Sequence, residues 1–416
     1  MVRPIFAIEH GVVNMQRLPF STRIAKAVVV CAAGFGVVGP VYAADSPSSS
    51  PVIVESEVND TAQLPPPGPH QLIVGGGFEP GGLRVIDGDH MRQLGAAYSQ
   101  SGSNLVIDPN DKFFYFAETT FAHGNRGPRQ DYISVYDNQL RLVTDFPIPG
   151  RLISIPKTQT FDVSADGRFG YVYNMQPAAS VSVVDLVAHK LTTVVEIPGC
   201  GLVFPFGPTG FASLCADGSA AIATPSGKSG AYSVTRTQHF FDAEQDPVFE
   251  ESLVDRQTGK ALFITYSGRI LPVTLGPTPV FGEPWSLQQA AGQPLPSMEP
   301  EQLAWRPGGL RFAALHKASG KLFVLMHPGA HWSHKDPGSQ IWVFDIAAKK
   351  RIAHYELKGG ASSIAVSQDP EPLLFVIGGP PGPGGGGLSV LDASTGVPRG
   401  TPLAGISGGI LAVHGY

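Results

Sequence analysis

The chain has 416 residues, of which 43% are hydrophobic and 15% are charged, and its formal net charge at pH 7 is −5. This composition excludes a globally disordered chain, and the acidic balance argues against a nucleic-acid-binding protein. The 50 glycines and 38 prolines show no collagen period and do not fall into one low-complexity block, so turns must recur along the chain between short strands.

The first 43 residues have the pattern of a signal peptide. Basic residues precede the apolar run AVVVCAAGFGVV, and the small residues of VYA then suit cleavage after Ala43. The apolar run is too short to span a bilayer, and no later segment has 18 uninterrupted apolar residues. We therefore predict an exported protein that has no membrane span.

The cysteines support a prediction about covalent structure. Cys31 leaves with the signal peptide, and its surroundings lack the small-residue pattern of a lipid-anchored cysteine. Cys200 and Cys215 then remain in an oxidising compartment, where an even pair favours a disulfide. Two unrelated buried thiols are the alternative.

The segment that follows the signal peptide differs from the rest of the chain. Residues 44–70 are rich in Ser and Pro and have no apolar period, which predicts a flexible or extended arm. From residue 71 onward the composition stays uniform.

The uniform part alternates two sequence patterns. In the first, a β-rich run closes on Asp, as in LRVID, ISVYD, VSVVD, IWVFD and LSVLD. In the second, a polar turn leads into another β run, as in DPNDKFFYFA, SADGRFGYVY, CADGSAAIAT, RQTGKALFIT and KASGKLFVLM. Successive antiparallel hairpins produce this alternation. The steps between the closing Asp residues are 50 (Asp87 to Asp137), 48 (to Asp185) and 47 (Asp345 to Asp392).

A period near 50 residues is typical of β-propeller blades, so the fold class is predicted as all-β with seven blades over 71–416. The blades are placed at 71–97, 103–147, 160–197, 200–226, 247–276, 310–357 and 362–400. The last run, GGILAVHGY, is expected to pair with the first strands and close the ring. A pair of β-sandwiches is the alternative, but sandwich turns lack a super-period of 50 residues.

Candidate catalytic motifs are weak. The runs GGPPGPGGGG (378–387) and GKSGA (227–231) lack the spacing of a phosphate loop and of a nucleophile elbow, and both are interpreted as loops. His327, His331 and His334 lie in HPGAHWSHKDPG, whose Pro328, Gly329, Pro337 and Gly338 exclude a stable helix. A metal site there lacks a fourth ligand, so we prefer a polar loop open to a partner. No catalytic residue and no metal ligand is assigned.

Several long motifs, in order, resemble one family. They are TTFAHGNRGPRQDYISVYD, the segment from Cys200 to Cys215, WRPGGL, LHKASGKLFVLMHP followed by HK, and IAVSQDPEPLLFVI. Together they resemble the heavy subunit of the quinoprotein amine dehydrogenases, which act on methylamine or aromatic amines. The resemblance covers about residues 71–416, and DPVFEESLVDRQTGKALFITYSG and PWSL are closer to the aromatic amine branch.

The resemblance implies a seven-bladed propeller in a periplasmic α2β2 heterotetramer. It also implies that a separate small subunit carries the cofactor, tryptophan tryptophylquinone, and the catalytic groups. The complex would oxidise primary amines to aldehyde and ammonia and pass electrons to a blue copper protein of the amicyanin or azurin type. Trp305, Trp332 and Trp342 of this chain are not expected to be quinone precursors.

The resemblance also assigns residues by position. In the family an aromatic side chain of the heavy subunit lines the substrate channel, and Tyr98 is the match, with a plain core aromatic as the alternative. The remaining assignments are subunit contacts: Arg126, Arg129, Asp131, Trp305, His334 and Lys335. For the two arginines, a solvated hairpin in which they pair with Asp131 is the alternative. Gly308 and Gly309 are expected to serve turn geometry.

The chain also departs from the family. A short Ser/Pro arm replaces a longer N-terminal arm, and residues 277–300 and 378–387 match loosely. A stand-alone periplasmic propeller that binds a protein or small ligand, or a lactonase-like propeller enzyme, therefore stays open as the alternative function.

Overall fold

The computed structural model describes residues 63–75, 81–100, 102–124, 126–151, 158–227, 230–379, 386–406 and 409–413. The predicted signal peptide and residues 44–62 of the predicted arm lie outside these ranges. The described part is almost entirely β-structure, which confirms the all-β prediction. Within it, no helix has the length and apolar character that crossing a membrane requires.

The first three sheets follow the chain in order. Sheet 1 contains β1 (Gln71–Gly75), β2 (Gly81–Asp87) and β3 (Arg92–Ser99). Sheet 2 contains β4 (Asn104–Ile107), β5 (Phe113–Phe121), β6 (Arg129–Asp137) and β7 (Leu142–Ile148). A short 3₁₀ turn (Thr158–Thr160) precedes sheet 3, which contains β8 (Phe161–Val163), β9 (Phe169–Asn174), β10 (Ser180–Asp185) and β11 (Lys190–Glu196). All neighbouring strands in these sheets are antiparallel.

The next two sheets have the same plan. Sheet 4 contains β12 (Cys200–Phe206), β13 (Gly210–Cys215), β14 (Ala220–Ser226) and β15 (Ala231–Arg236). Sheet 5 contains β16 (Leu253–Val254), β17 (Lys260–Ile264), β18 (Arg269–Thr274), β19 (Val280–Phe281) and β20 (Trp285–Ser286). A single-turn helix, α1 (Leu287–Ala290), follows, and the Ser286 side chain caps it by accepting from the backbone N–H groups of Gln288 and Gln289.

Sheet 6 shows that the prediction of seven separate blades is wrong. It has eight strands: β21 (Ala304–Pro307), β22 (Ala313–His316), β23 (Lys321–Gly329), β24 (Gly338–Asp345), β25 (Lys350–Val366), β26 (Leu373–Gly378), β27 (Gly387–Asp392) and β28 (Pro398–Ala404). The 17-residue β25 pairs with β24 through its first half and with β26 through its second. It thereby fuses the units placed at 310–357 and 362–400, and the described residues form five blade-sized sheets and one double-sized sheet.

The first and last described strands meet within sheet 1. The last strand, β29 (Ile410–Val413), pairs antiparallel with β1, where Leu72 lies opposite Val413 and Ile73 opposite Ala412. The predicted closure by the C-terminal run is therefore confirmed. Pairing of the first and last described strands covers sheet edges that would otherwise be open to other chains.

Apolar side chains between consecutive sheets form the core. One cluster joins sheets 1 and 2, and further clusters join sheets 2 and 3, 3 and 4, 4 and 5, and 5 and 6. A last cluster returns from sheet 6 to sheet 1, where Phe375 packs with Leu72 and Ile86. Each fully buried large apolar side chain stabilises the fold by about 1.5–3 kcal/mol. Leu64 of the predicted arm belongs to the first cluster, so this part of the arm is packed against the core.

The repeated Asp residues have a common structural role. The Asp185 carboxylate accepts from the backbone N–H groups of Val187 and Ala188, and Asp392 accepts from those of Ser394 and Thr395. The same side-chain cap follows the other closing Asp residues, which are Asp87, Asp137 and Asp345. The 50-residue pattern thus marks a turn between two neighbouring antiparallel strands of a sheet.

These caps make stability depend on pH. Burial raises the pKa of Asp185, but the N–H groups of Ala188 and Val187 and the guanidinium of Arg168 lower it more, so the pKa lies below its usual 3.8. A carboxyl whose folded-state pKa is lowered stabilises the fold above its unfolded pKa and loses this contribution as the pH falls. We expect the stability lost in Asp185→Asn at about pH 6 to shrink towards about pH 3. Urea unfolding at both pH values measures it, and a pH-independent difference would contradict it.

The two ends of the sheets carry different connections. The Asp-capped turns β2–β3, β6–β7, β10–β11, β24–β25 and β27–β28 lie at one end, the turn end. Because neighbouring strands are antiparallel, the connections β5–β6, β17–β18 and β23–β24 lie at the opposite end, the loop end. The connections from one sheet to the next also lie at the loop end.

Candidate docking end of the propeller

The residues assigned as channel and subunit contacts all lie at the loop end. Tyr98 is near the end of β3, and the charged turn joins β5 to β6. The remaining assigned residues are Trp305 on β21 and, in the β23–β24 connection, His334 and Lys335. Segments that are far apart in sequence thus reach one end of the ring.

The charged turn divides into an exposed part and a paired part. Arg126 is exposed and has no ion pair within the described residues. Arg129 forms a two-point ion pair with Asp131, at 2.7 Å from Nε to Oδ2 and 2.8 Å from Nη2 to Oδ1. Asp131 is buried, and it also accepts from the Thr119 hydroxyl at 2.5 Å. For Arg129, this is the pairing that the alternative interpretation predicted, and Arg126 remains available to a partner.

Tyr98 is exposed. Its side chain is 68% accessible, and its backbone carbonyl accepts from the Tyr136 hydroxyl at 3.5 Å. It is therefore not the core aromatic that was the alternative. The structure leaves its ring at the loop end, where a docked chain could cover it.

Aromatic side chains gather around the β23–β24 connection. The rings of His334 and Tyr266 stack at 3.8 Å between centroids and 12° between planes. Trp332 meets Tyr266 edge to face at 6.2 Å, and its side chain is 53% exposed. An exposed tryptophan held by neighbouring rings is typical of an interface anchor.

An ion pair ties the same connection to sheet 5. Lys335 Nζ lies 2.7 Å from Glu250 Oε1, and the Glu250 side chain is only 10% exposed. Burial and, to a lesser degree, the nearby Glu250 charge together raise the pKa of Tyr266 to about 12. The Tyr266 hydroxyl therefore stays protonated at neutral pH.

The histidines of this segment do not lie in one loop. Strand β23 extends to Gly329, so His327 is part of the sheet and pairs opposite Arg306, contrary to the loop prediction. His327 is buried, and desolvation lowers its pKa; its Nε2 lies 2.8 Å from the Ser333 hydroxyl. His331 is also buried, against Trp332. Among the described residues, no three His, Cys, Asp or Glu side chains are placed to hold a metal ion.

The Trp305 side chain is half-buried and not fully exposed to solvent. Its ring packs on Trp342 at 5.2 Å between centroids, and its backbone carbonyl accepts from Gln288 Nε2. Gly309 has a φ of 125°, and a Cβ on Gly308 would lie 2.4 Å from the His327 ring. Both glycines meet the expectation that they serve local geometry.

The disulfide prediction is confirmed. Cys200, at the start of β12, is bonded to Cys215, at the end of β13, and the two residues lie opposite each other in the strand pair. The bond closes the loop end of sheet 4. The two runs interpreted as loops, 378–387 and 227–231, are only partly described, because residues 380–385 and 228–229 lie outside the described ranges. The strands on either side of them pair as β26–β27 and β14–β15.

Sequence reasoning missed the buried charges behind the exposed residues. Glu118 and Arg151 are both 4% exposed, and they contact the segment that follows Tyr98. For Glu118, the available sequence signal is a charged residue inside an apolar strand, in FYFAETTF. Arg151 lies beyond the end of β7, where the sequence gives no signal of burial.

A cavity of about 450 Å³ opens at the turn end. Charged residues in its wall include Asp162, which is buried in β8, and Arg256, which follows β16. Arg256 Nη2 lies 2.6 Å from Asp162 Oδ1, so this pair joins sheets 3 and 5 across the ring.

Comparison with known proteins shows that the chain is similar to the heavy chains of one enzyme. The family model of the methylamine dehydrogenase heavy chain (MADH) matches residues 81–398. The methylamine dehydrogenase heavy chain of Methylobacillus flagellatus is 28% identical over 349 residues, which cover 81% of this chain and 85% of that one. The heavy chain of Methylorubrum extorquens is 30% identical over 326 residues, with 75% and 74% covered.

A solved structure supports the fold alone. The β-propeller domain of Cps50 (Swd1) from Myceliophteria thermophila superposes with a TM-score of 0.50 and 9% sequence identity. The match covers 74% of this chain and 89% of that domain.

Proposed function

The chain belongs to the methylamine dehydrogenase heavy-chain family, and from this premise we propose that it is the non-catalytic heavy subunit of a periplasmic amine dehydrogenase. It would assemble as an α2β2 heterotetramer with a small subunit that bears tryptophan tryptophylquinone. The complex would oxidise primary amines to aldehyde and ammonia and pass electrons to a blue copper protein. The quinone would supply the amine-oxidising chemistry.

The residues of this chain would bind and enclose the small subunit. At the loop end, Trp332 offers an exposed ring, Arg126 offers an exposed guanidinium, and Tyr98 offers an exposed phenol. Arg can form two-point hydrogen bonds to a carboxylate of a docked chain. Covered by the small subunit, Tyr98 would form part of the substrate channel wall and exclude water from it.

The single observation that carries this proposal is the match of the heavy-chain family over residues 81–398. The exposed aromatic and cationic side chains at the loop end add to it. They lie at the loop end, where their exposed side chains are accessible to another protein.

Co-expression tests the proposal. The chain should be produced, with an affinity tag, beside a candidate small subunit, which is a small Cys-rich exported chain from a neighbouring reading frame, and the machinery that matures the quinone. We expect the two chains to copurify and the complex to show quinone absorbance. If the tagged chain retains no small chain under these conditions, the heavy-subunit function is contradicted and the stand-alone propeller is favoured.

Trp332→Ala is expected to weaken this assembly. Truncating a central interface aromatic costs about 2 kcal/mol or more, which corresponds to about a 30-fold higher Kd. Titration of the variant with the purified small subunit measures it. Val397→Ala is the matched control, because Val397 is 59% exposed but lies at the turn end. Equal affinities of both variants would contradict the placement of the interface.

A further inference from the structure

The backbone after Tyr98 is held by two buried charged side chains. Arg151 donates from Nη2 to the Gly102 carbonyl at 3.1 Å and from Nη1 to Asn104 Oδ1 at 2.9 Å. Glu118 accepts from the Gln100 backbone N–H at 2.8 Å. These hydrogen bonds hold Gln100, Gly102 and Asn104, which follow Tyr98 by two, four and six positions. They therefore restrict the position of the backbone at the end of β3.

Both charged side chains are in turn fixed by other residues. Arg151 Nε donates to the Thr119 hydroxyl at 2.8 Å, and the Ser134 hydroxyl donates to Glu118. Since a planar guanidinium donates in three directions at once, Arg151 fixes three partners in one geometry. Burial lowers the pKa of Arg151 to about 10, and it remains charged at neutral pH.

The charged turn extends this network to the surface. Arg129 Nη2 donates to the Arg151 backbone carbonyl at 2.7 Å, and Thr119 bridges Arg151 to Asp131. We call the set of Glu118, Arg129, Asp131 and Arg151 the charge network. It holds two positive and two negative side chains, so its charges balance, which reduces the cost of burying them.

We propose that the charge network consists of positioning residues for Tyr98. The charged turn would then act on substrate access by fixing the end of β3, and not only by contact with the small subunit. This inference rests on the proposed function, because it gives Tyr98 a role at the substrate channel. It assigns Arg151 and Glu118 a part in amine selectivity, although neither reaches the surface.

The first test uses the full chain alone. Arg151→Lys keeps the charge and loses the three-way donor geometry, so we expect amide hydrogen exchange of a peptide spanning 96–105 to become about tenfold faster. Exchange in sheets 4 and 5 should not change. Arg399→Lys is the matched control, because Arg399 pairs with Asp392 at 2.7 Å at the turn end. Unchanged exchange at 96–105 would overturn the proposal.

A second variant covers the case in which Arg151→Lys does not fold. Arg129→Lys changes a side chain that is 35% exposed and loses the bond to the Arg151 carbonyl. A smaller local increase in exchange at 96–105 is expected. Exchange identical to that of the unmodified chain would again overturn the proposal.

The second test uses the assembled complex and two amines of different size, methylamine and 2-phenylethylamine. For Arg151→Lys we expect the ratio of the two KM values to change about tenfold, with kcat within about twofold and quinone absorbance unchanged. A loss of structure alone would lower the yield of the complex and leave the KM ratio as it was. Faster exchange with an unchanged KM ratio would overturn the role in selectivity.

The activity of the unmodified complex separates a failure of the heavy-subunit function from a failure of the positioning role of the charge network. If the unmodified complex does not turn over either amine, the proposed function has failed and this inference fails with it. If the unmodified complex is active and the variants match it in exchange and KM, this inference alone is contradicted.

Discussion

Replacement of Trp342 by alanine is expected to destabilise the fold by about 3–5 kcal/mol, because it removes a large fully buried side chain. The Trp342 ring is 1% exposed and packs against Trp305 and Phe344. Its Nε1 donates to Gln340 Oε1 at 2.7 Å, and the Arg351 guanidinium lies 4.5 Å from the ring centroid. The cavity left by alanine would lie in the cluster that joins sheets 5 and 6.

Urea unfolding of the purified chain measures this loss. Trp342→Phe should cost less, because it keeps a ring in the core, and Trp332→Ala should change stability by about 0.5 kcal/mol or less, since that ring is largely exposed. In the assembled complex, Trp342→Phe should leave quinone absorbance unchanged. A loss of that absorbance would contradict the assignment of the quinone to the small subunit.

Replacement of Arg256 by methionine is expected to cost about 3 kcal/mol, because it removes the ion-pair partner of the buried Asp162 carboxylate. This value is the lower end of the usual range, since the Arg256 side chain is 29% exposed. The pair is also tied to sheet 4, because the Arg256 carbonyl accepts from the Gly207 N–H at 2.8 Å. Unfolding of the ring is expected to begin near this contact in the variant.

The destabilisation should depend on pH. Burial already raises the pKa of Asp162, although Arg256 and the Val163 N–H lower it, so removal of Arg256 raises it further. A carboxyl with a raised folded-state pKa opposes folding when it is ionised and stops doing so as the pH falls through that pKa. Urea unfolding should show a smaller loss at about pH 5 than at about pH 8. The double variant Asp162→Asn/Arg256→Met should recover most of the stability, and a loss that is equal at both pH values would contradict this account.

The parts of the fold that follow from local chemistry were predictable. Asp185 and Asp392 close β runs at a fixed period because each caps the turn that follows. Closure through β29 follows from an apolar run at the end of the chain, and the Cys200–Cys215 bond follows from an even cysteine count. These features need only neighbouring residues or a simple count.

Features that depend on distant contacts were not predictable. Strand β25 contains Gly359 and Gly360 with positive φ, which is a turn signal in sequence, yet pairing with β24 and β26 keeps the strand continuous. The fourth sheet was expected to end at 226, but β15 follows it with a largely exposed and polar pattern. An edge strand of this kind lacks the apolar alternation by which strands are recognised.

For the site, the resemblance assigned residues but not their surroundings. It named Tyr98, Arg126 and Lys335 as channel or subunit contacts, and the strand order places all three at the loop end. It did not indicate that Trp305 is half-buried against Trp342 while Trp332 is exposed. Side-chain burial of this kind is decided by which sheets lie next to each other, and one sequence does not specify that.

The most direct measurement of the central claim is amine-dependent dye reduction by the purified chain and by its complex with the quinone-bearing small subunit. We predict no turnover by the chain alone and turnover by the complex at a rate proportional to its quinone content. Amine oxidation by the chain alone, or by a complex that lacks the quinone, would contradict the account.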